Sequence, residues 1–171
     1  DLEPNSPVMR AHQKFANGDG NDRLLLYIRK YYGEPKDFES FVYLSQVMQA
    51  EGIELAAEHL RSVRPQAMGS LYWQLNDVWP GASWSSVDYF GRWKALQFHA
   101  RRFYAPVRVV AVHNDGRSDV FVVSDRTEPF QATLRSRVMS MDGKVLRESK
   151  QELKVAPLAS AKVANPTDAE L

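Results

Sequence analysis

Apolar positions change their period along this chain, and the changes mark its elements. From Asp37 to about Arg61, the apolar or small positions Phe41, Leu44, Met48, Gly52 and Leu55 recur at three and four residues. That spacing predicts one long amphipathic helix, capped by Asp37, with His59 continuing the buried stripe and Glu51, Glu54 and Glu58 on a solvated acidic face. Leu24 to Tyr32 predicts a shorter helix stopped by Gly33 and Pro35. Residues 1–22 are dominated by loop formers, with one or two helical turns between Val8 and Phe15. Pro65 ends the long helix. Met68, Leu71, Tyr72, Trp73 and Leu75 then form a nearly continuous apolar run, the pattern of a strand buried on both faces, which Trp79-Pro80-Gly81 breaks into a loop. A last helix from about Gly91 to Tyr104 puts Trp93, Leu96, Ala100 and Phe103 on its buried side and Lys94, Arg101 and Arg102 outside.

After Pro106 the pattern alternates residue by residue. Val107 to Val112 and Val120 to Val123 read as two strands around the turn signal Asn114-Asp115-Gly116. Residues 131–140 and 144–155 read as a second pair joined at Met141-Asp142-Gly143, and residues 156–171 hold room for one more strand. A helix feeding a buried strand, then another helix, is the rhythm of a parallel α/β sheet or barrel. Four strands with one solvated face are the opening half of an immunoglobulin-like sandwich, which needs about seven. The expected fold class is therefore α/β followed by all-β, with residues 1–105 and 106–171 as the two parts. The missing strands of the sandwich would leave apolar faces and edges uncovered, so other chain segments are expected to supply them.

Composition narrows the function classes. The 171 residues carry 22 basic and 21 acidic side chains, a formal net charge of +1, which calls for neither nucleic acid nor an anionic membrane as partner. No apolar run approaches the ~18 residues of a membrane span. With no cysteine, disulfides and thiolate metal sites are excluded. The four histidines, at 12, 59, 99 and 113, have no metal-ligand spacing. The first residue is Asp1 and no signal-like segment follows, so a processed product or one piece of a longer polypeptide is expected.

Three of the four tryptophans lie in Gly69–Trp84, GSLYWQLNDVWPGASW, beside Gln74, Asn76 and Asp77. Aromatic faces next to amides and a carboxylate, at the end of a buried strand, suit a sugar cleft: rings stack on CH-rich sugar faces while hydroxyls take directed hydrogen bonds. The same residues also suit a core strand followed by a Trp-Pro turn, with Asp77 anchoring the corner. Arg10, His12 and Lys14 form a small basic cluster upstream, either a solvated face or part of a site's mouth.

The stretch SLYWQLNDVWPGASWSSVDYFGRWKALQFHARRFYAPV resembles the end of the catalytic barrel in β-mannosidases of glycoside hydrolase family 2. The likeness extends upstream through SPVMRAHQK and YLSQVMQAEGIELAAEHLR, covering roughly residues 5 to 110. It implies the C-terminal segment of a (β/α)8 TIM barrel, with residues 69–76 as its eighth strand, followed by part of an immunoglobulin-like β-sandwich. It also implies a retaining exo-β-mannosidase that releases terminal non-reducing β-D-mannose from β-mannosides and manno-oligosaccharides. Such an enzyme uses two glutamates about 5 to 5.5 Å apart and no cofactor or metal. The family's Asn-Glu and Ser-Glu-Phe-Gly signatures do not occur here, so no catalytic residue is expected in this chain, which alone would be inactive.

The substrate-binding candidates are Trp73, as the platform under the sugar ring, with Gln74, Asn76, Asp77, Trp79 and Trp84. Related barrels also imply a non-proline cis peptide between Trp73 and Gln74. Expected partners are the β-mannoside and the remainder of the polypeptide. Among bacterial relatives a periplasmic or secreted location is favoured over a cytoplasmic one. The alternatives are another family 2 exo-β-glycosidase such as an exo-glucosaminidase, a non-catalytic sugar-binding module, or a purely structural segment.

Overall fold

A computed structural model describes residues 2–170. The chain divides into two compact units, Asp1–Ala57 with Leu71–Phe103, and Glu58–Ser70 with Tyr104–Leu171.

The first unit is helical. Ser6 caps α1 (Pro7–His12), its hydroxyl accepting the Met9 N–H at 3.3 Å, with proline in the first turn where no donor is needed. α2 spans Gly20–Tyr31, four residues earlier than the apolar pattern suggests, and Gly33 follows it at φ 86°. α3 (Phe38–Ser62) starts as expected: Asp37 Oδ1 accepts the Ser40 N–H at 2.7 Å, and Ser40 Oγ accepts the Asp37 N–H at 2.9 Å. This reciprocal pair satisfies two donors at the helix start.

The buried face of α3 differs from the expected one. Phe41 is buried, but Gly52 and His59 are exposed and Leu55 is 74% exposed. The packed face runs instead through Ala50, Glu54, Ala57 and Arg61, at helical spacing. Glu54 accepts from His99 at 2.6 Å, Glu58 from Arg108 at 2.6 Å, and Glu51 from the Tyr32 hydroxyl. The bond to Glu51, helped by burial, lifts the Tyr32 hydroxyl to a pKa of about 12. The supposed acidic surface is thus a row of paired side chains, with alanines allowing close approach between them. α4 (Ala95–Phe103) buries Leu96, Ala100 and Phe103 as expected. Trp93 lies before the helix and is exposed, its ring edge-on to Phe98 with centroids 5.1 Å apart, so it is not helix core.

Residues 69–76 do not form the expected buried strand. Among the described residues they make only an isolated parallel bridge, Asn76 to Val87. Leu71 is fully exposed, and Leu75 and Val78 are exposed too. A strand buried on both faces needs hydrogen-bonded neighbours along its edges and layers on each side. The described residues supply only the short 85–87 segment. The run keeps an alternation of exposure: Leu71, Trp73 and Leu75 are exposed, while Tyr72 and Gln74 are half-buried.

The second unit is β-rich. β1 (Val107–Asn114) and β2 (Arg117–Ser124) form a hairpin with Asn114 opposite Arg117, so Asp115 and Gly116 make a two-residue loop at φ 48° and 75°. Positive φ at both positions is the turn that matches strand twist, which the Asp-Gly pair supplies. β5 (Ser160–Ala164) adds to β2, giving the antiparallel order β1-β2-β5. β3 (Phe130–Met139) and β4 (Val145–Val155) form a separate antiparallel ribbon, and Asp168–Glu170 closes with a short 3-10 turn. Val110, Val122, Val123 and Val155 are buried, whereas β4 is exposed along most of its length.

Segment 58–70 is bound into this unit by arginines. Buried Arg61 donates to Asp125 Oδ2 and to the Ala105 carbonyl, both at 2.8 Å; Arg64 donates to the Ser124 carbonyl at 2.9 Å and to Asp125 Oδ1. Asp125→Asn should therefore destabilise the unit. Breaking a buried pair costs about 3–5 kcal/mol, and the exposure of Asp125, whose side chain is 39% accessible, reduces that to about 1–3 kcal/mol. Urea unfolding of the variant beside the wild type checks it.

Candidate functional site

The stretch from Trp73 to Lys94 is held by a single buried carboxylate. The Asp77 side chain is 1% exposed. Lys14 Nζ donates to its Oδ1 at 2.7 Å, while Lys94 Nζ at 2.9 Å and the Ser85 hydroxyl at 2.6 Å donate to Oδ2. Lys94 also reaches Ser85 Oγ at 2.7 Å and Ser83 Oγ at 3.2 Å. Burial alone would push Asp77 up, but the bonds from Lys14, Ser85, Lys94 and Ser83 outweigh it and hold its pKa well below the usual carboxylate range.

The loop that follows is tied to the N-terminal segment. Lys14 donates to the Trp79 carbonyl at 3.1 Å and His12 Nδ1 to the Pro80 carbonyl at 2.6 Å. The His12 and Trp79 rings lie 4.8 Å apart. Gly81, at φ 153°, leaves no room for a side chain, since a Cβ there would meet the His12 carbonyl at 2.6 Å. Arg10, the third member of the basic cluster, instead bonds the Asn5 carbonyl at 3.0 Å.

On the far side, the Tyr72 hydroxyl donates to Ser86 Oγ at 2.8 Å, and Ser86 Oγ donates to Gln97 Oε1 at 2.7 Å. Backbone bonds from Ser86 to the Gln74 carbonyl (3.1 Å) and from Val87 to the Leu75 carbonyl (2.8 Å) complete the support.

Above this support the candidate side chains divide into two groups. Trp73 is 73% exposed, and the peptide between Trp73 and Gln74 is cis, as the resemblance implied. Gln74 is half-buried; Asn76 is exposed, its amide making one long contact, 3.4 Å, to the Asp77 carbonyl. Trp79 and Trp84 are exposed, and the Trp84 carbonyl accepts from Gln49 at 2.9 Å. Asp77 belongs to the other group, buried and fully engaged.

Lys94 is the residue that pattern reading misplaced. It was expected on the outside of a helix, yet it lies ahead of α4 and half-buried on Asp77. The available signal was chemical: one acidic residue between tryptophans, followed by the serines at 83, 85 and 86, asks for a cation nearby. Among the described residues no cluster of three or more His, Cys, Asp or Glu side chains could hold a metal, and no helix is long and apolar enough to cross a membrane.

Comparison with known proteins gives this arrangement a family. Residues 116–171 match the Mannosidase Ig/CBM-like domain. A β-mannosidase of Mus musculus is 38% identical over 133 residues, covering 70% of this chain and 15% of that protein. The crystal structure of a β-D-mannosidase from Dictyoglomus thermophilum superposes with a TM-score of 0.85 at 27% identity, covering 97% of this chain and 20% of the other. An Amycolatopsis orientalis exo-chitosanase shares the fold, with a TM-score of 0.69 at 20% identity over 94% of this chain and 19% of that one. The chain thus spans between a seventh and a fifth of the length of these relatives. By these likenesses, in its immunoglobulin-like part and in the segment before it, the chain belongs to the β-mannosidases of glycoside hydrolase family 2.

Proposed function

We propose that this chain is part of a retaining exo-β-mannosidase that hydrolyses terminal non-reducing β-D-mannose from β-mannosides and manno-oligosaccharides. In this reading residues 1–105 are the last portion of a (β/α)8 barrel, with 69–76 as its eighth strand once neighbouring strands are present. Residues 106–171 begin the following immunoglobulin-like domain. The two catalytic glutamates, about 5 to 5.5 Å apart in a retaining enzyme, come from polypeptide outside these residues. The engagement of Glu51, Glu54 and Glu58 with Tyr32, His99 and Arg108 favours structural roles for these three glutamates.

The observation that carries the proposal for the pocket is an exposed indole, Trp73, on a support whose polar groups are already satisfied. Trp73 is assigned as the platform beneath the mannose ring. Gln74 and Asn76 are assigned to its hydroxyls, and Trp79 and Trp84 to the rim. Asp77 serves the pocket by fixing the loop, since both its oxygens are taken within the protein. A ring held in place before the sugar arrives loses little freedom on binding.

In the full-length parent, Trp73→Ala should lower kcat/KM on a chromogenic β-mannoside by on the order of 10²-fold, about 2.7 kcal/mol at 1.36 kcal/mol per decade, with the fold retained by circular dichroism. Equal activity of wild type and variant would remove Trp73 from the site. Glucosamine release in place of mannose release would keep the family and change the substrate.

Asp77 generates a stability prediction. Its folded pKa is depressed, so its contribution is fully present above the unfolded value of about 3.9 and is lost as pH falls toward the folded one. At pH 7, Asp77→Asn strands two half-buried ammonium groups and should cost about 3–5 kcal/mol. Below about pH 4 the wild type loses its own advantage, so the gap between the two proteins should narrow in urea melts taken from pH 7 to pH 3. A gap constant with pH would show that the carboxylate is not the stabilising species.

A further inference from the structure

Two members of the basic cluster before the second helix have plain structural tasks. Arg10 bonds the Asn5 carbonyl, and Lys14 bonds Asp77 and the Trp79 carbonyl. His12 differs. Its Nδ1 lies 2.6 Å from the Pro80 carbonyl, an oxygen that can only accept, so Nδ1 carries the ring proton. In the neutral imidazole the other nitrogen, Nε2, is then an acceptor. Nε2 has no partner among the described residues and is not one of their buried unpaired atoms, so it reaches solvent.

The half-buried imidazole is also held in place. It lies against Trp79 with ring centroids 4.8 Å apart and planes tilted by 32°. The Gly81 backbone fits so closely that a Cβ there would meet the His12 carbonyl at 2.6 Å. Trp79 itself is 47% exposed. An indole open to solvent thus stands beside a fixed hydrogen-bonding atom, the pairing that a sugar needs. That this atom accepts is what sets it apart. The Lys14 ammonium and the Arg10 guanidinium only donate, and the Trp79 and Pro80 carbonyls already take the Lys14 and His12 protons. A hydroxyl group arriving at this corner finds its acceptor in Nε2.

We infer that Trp79 and His12 form a contact for the sugar on the leaving-group side of the scissile bond. The indole stacks on the CH face of that sugar, and His12 Nε2 accepts from one of its hydroxyls. The inference rests on the proposed function, in which Trp73 takes the terminal mannose and Trp79 stands at the rim. An enzyme that encloses the terminal residue leaves the remainder of the saccharide at the mouth of the pocket, so a rim contact serves the sugar that departs. Both groups are positioned before binding, and little freedom is lost when the sugar arrives.

The test compares kcat/KM of the full-length parent on β-linked mannobiose with that on methyl β-mannoside, which lacks the second sugar. His12→Asn keeps an N–H where Nδ1 stood, able to bond the Pro80 carbonyl, and removes Nε2. This variant should lose on the order of fivefold on the disaccharide, the worth of one neutral hydrogen bond, and stay within about twofold on the methyl glycoside. Trp79→Ala should show the same split, on the order of tenfold. Equal losses on the two substrates, or an unchanged disaccharide rate in either variant, overturn the inference. A crystal structure of the wild-type parent with a thio-linked mannobiose, which resists cleavage, reads the contact without any substitution. A hydroxyl of the leaving-group sugar within about 3.2 Å of Nε2 is expected, and a second sugar seated elsewhere overturns the inference. The two readings fail differently: a parent that releases mannose from both substrates with no split in the variants removes this inference alone, whereas a parent that releases none from either removes the proposed function and this inference with it.

Discussion

A carboxylate buried between two ammonium groups is the constraint on which the tryptophan-rich loop depends. Asp77 without partners would be costly at 1% exposure, and Lys14 and Lys94 without Asp77 would be two like charges facing each other. Each side of the arrangement is costly alone, so each of the three residues depends on the others. Lys14 arrives from 63 residues upstream and Lys94 from 17 residues downstream, so a single carboxylate closes the long loop and the short one. The lysines then spend further protons on the loop itself, Lys14 one on the Trp79 carbonyl and Lys94 one on each of Ser83 and Ser85. Loop geometry is therefore set by charge-assisted bonds, which are short and directional, rather than by apolar packing, which is neither.

What could be read from the residues divides according to how far away the deciding partner lies. The Asp115-Gly116 turn and the Asp37 cap were legible because their partners sit within three residues and the chemistry is local. The strands beyond Pro106 were legible because alternation is a local property. The buried face of α3 was not. Periodicity ranks positions by side-chain hydrophobicity, and here a face of alanines with paired Glu54, Glu58 and Arg61 packs more closely than the one bearing Leu55. Those pairs join residues 45 to 64 positions apart, which no window along the chain can contain. Lys94 escaped for the same reason, since its partner lies across a loop. The run at 68–75 was read as a strand from its apolar content, but strand geometry is a property of pairing, and the described residues provide almost none of the pairing.

The two ends of that run differ in a way that bears on the pocket. Exposure by itself does not separate a sugar platform from a surface awaiting its neighbours, because Leu71, Trp73 and Leu75 are all exposed. The polar surroundings separate them. Toward the N-terminal end, Leu71 is fully exposed and its side chain carries no polar atom. That is a surface suited to apolar cover. Toward the C-terminal end, Asn76 is exposed with an amide barely engaged, and the backbone below it is already fixed by Ser86 and Val87. A hydroxyl-rich ring needs both an aromatic face and a rigid, unspent hydrogen-bonding group beside it. In the proposed enzyme, then, residues 68–72 close the barrel and residues 73–79 meet the sugar, with the change from one task to the other falling at Trp73.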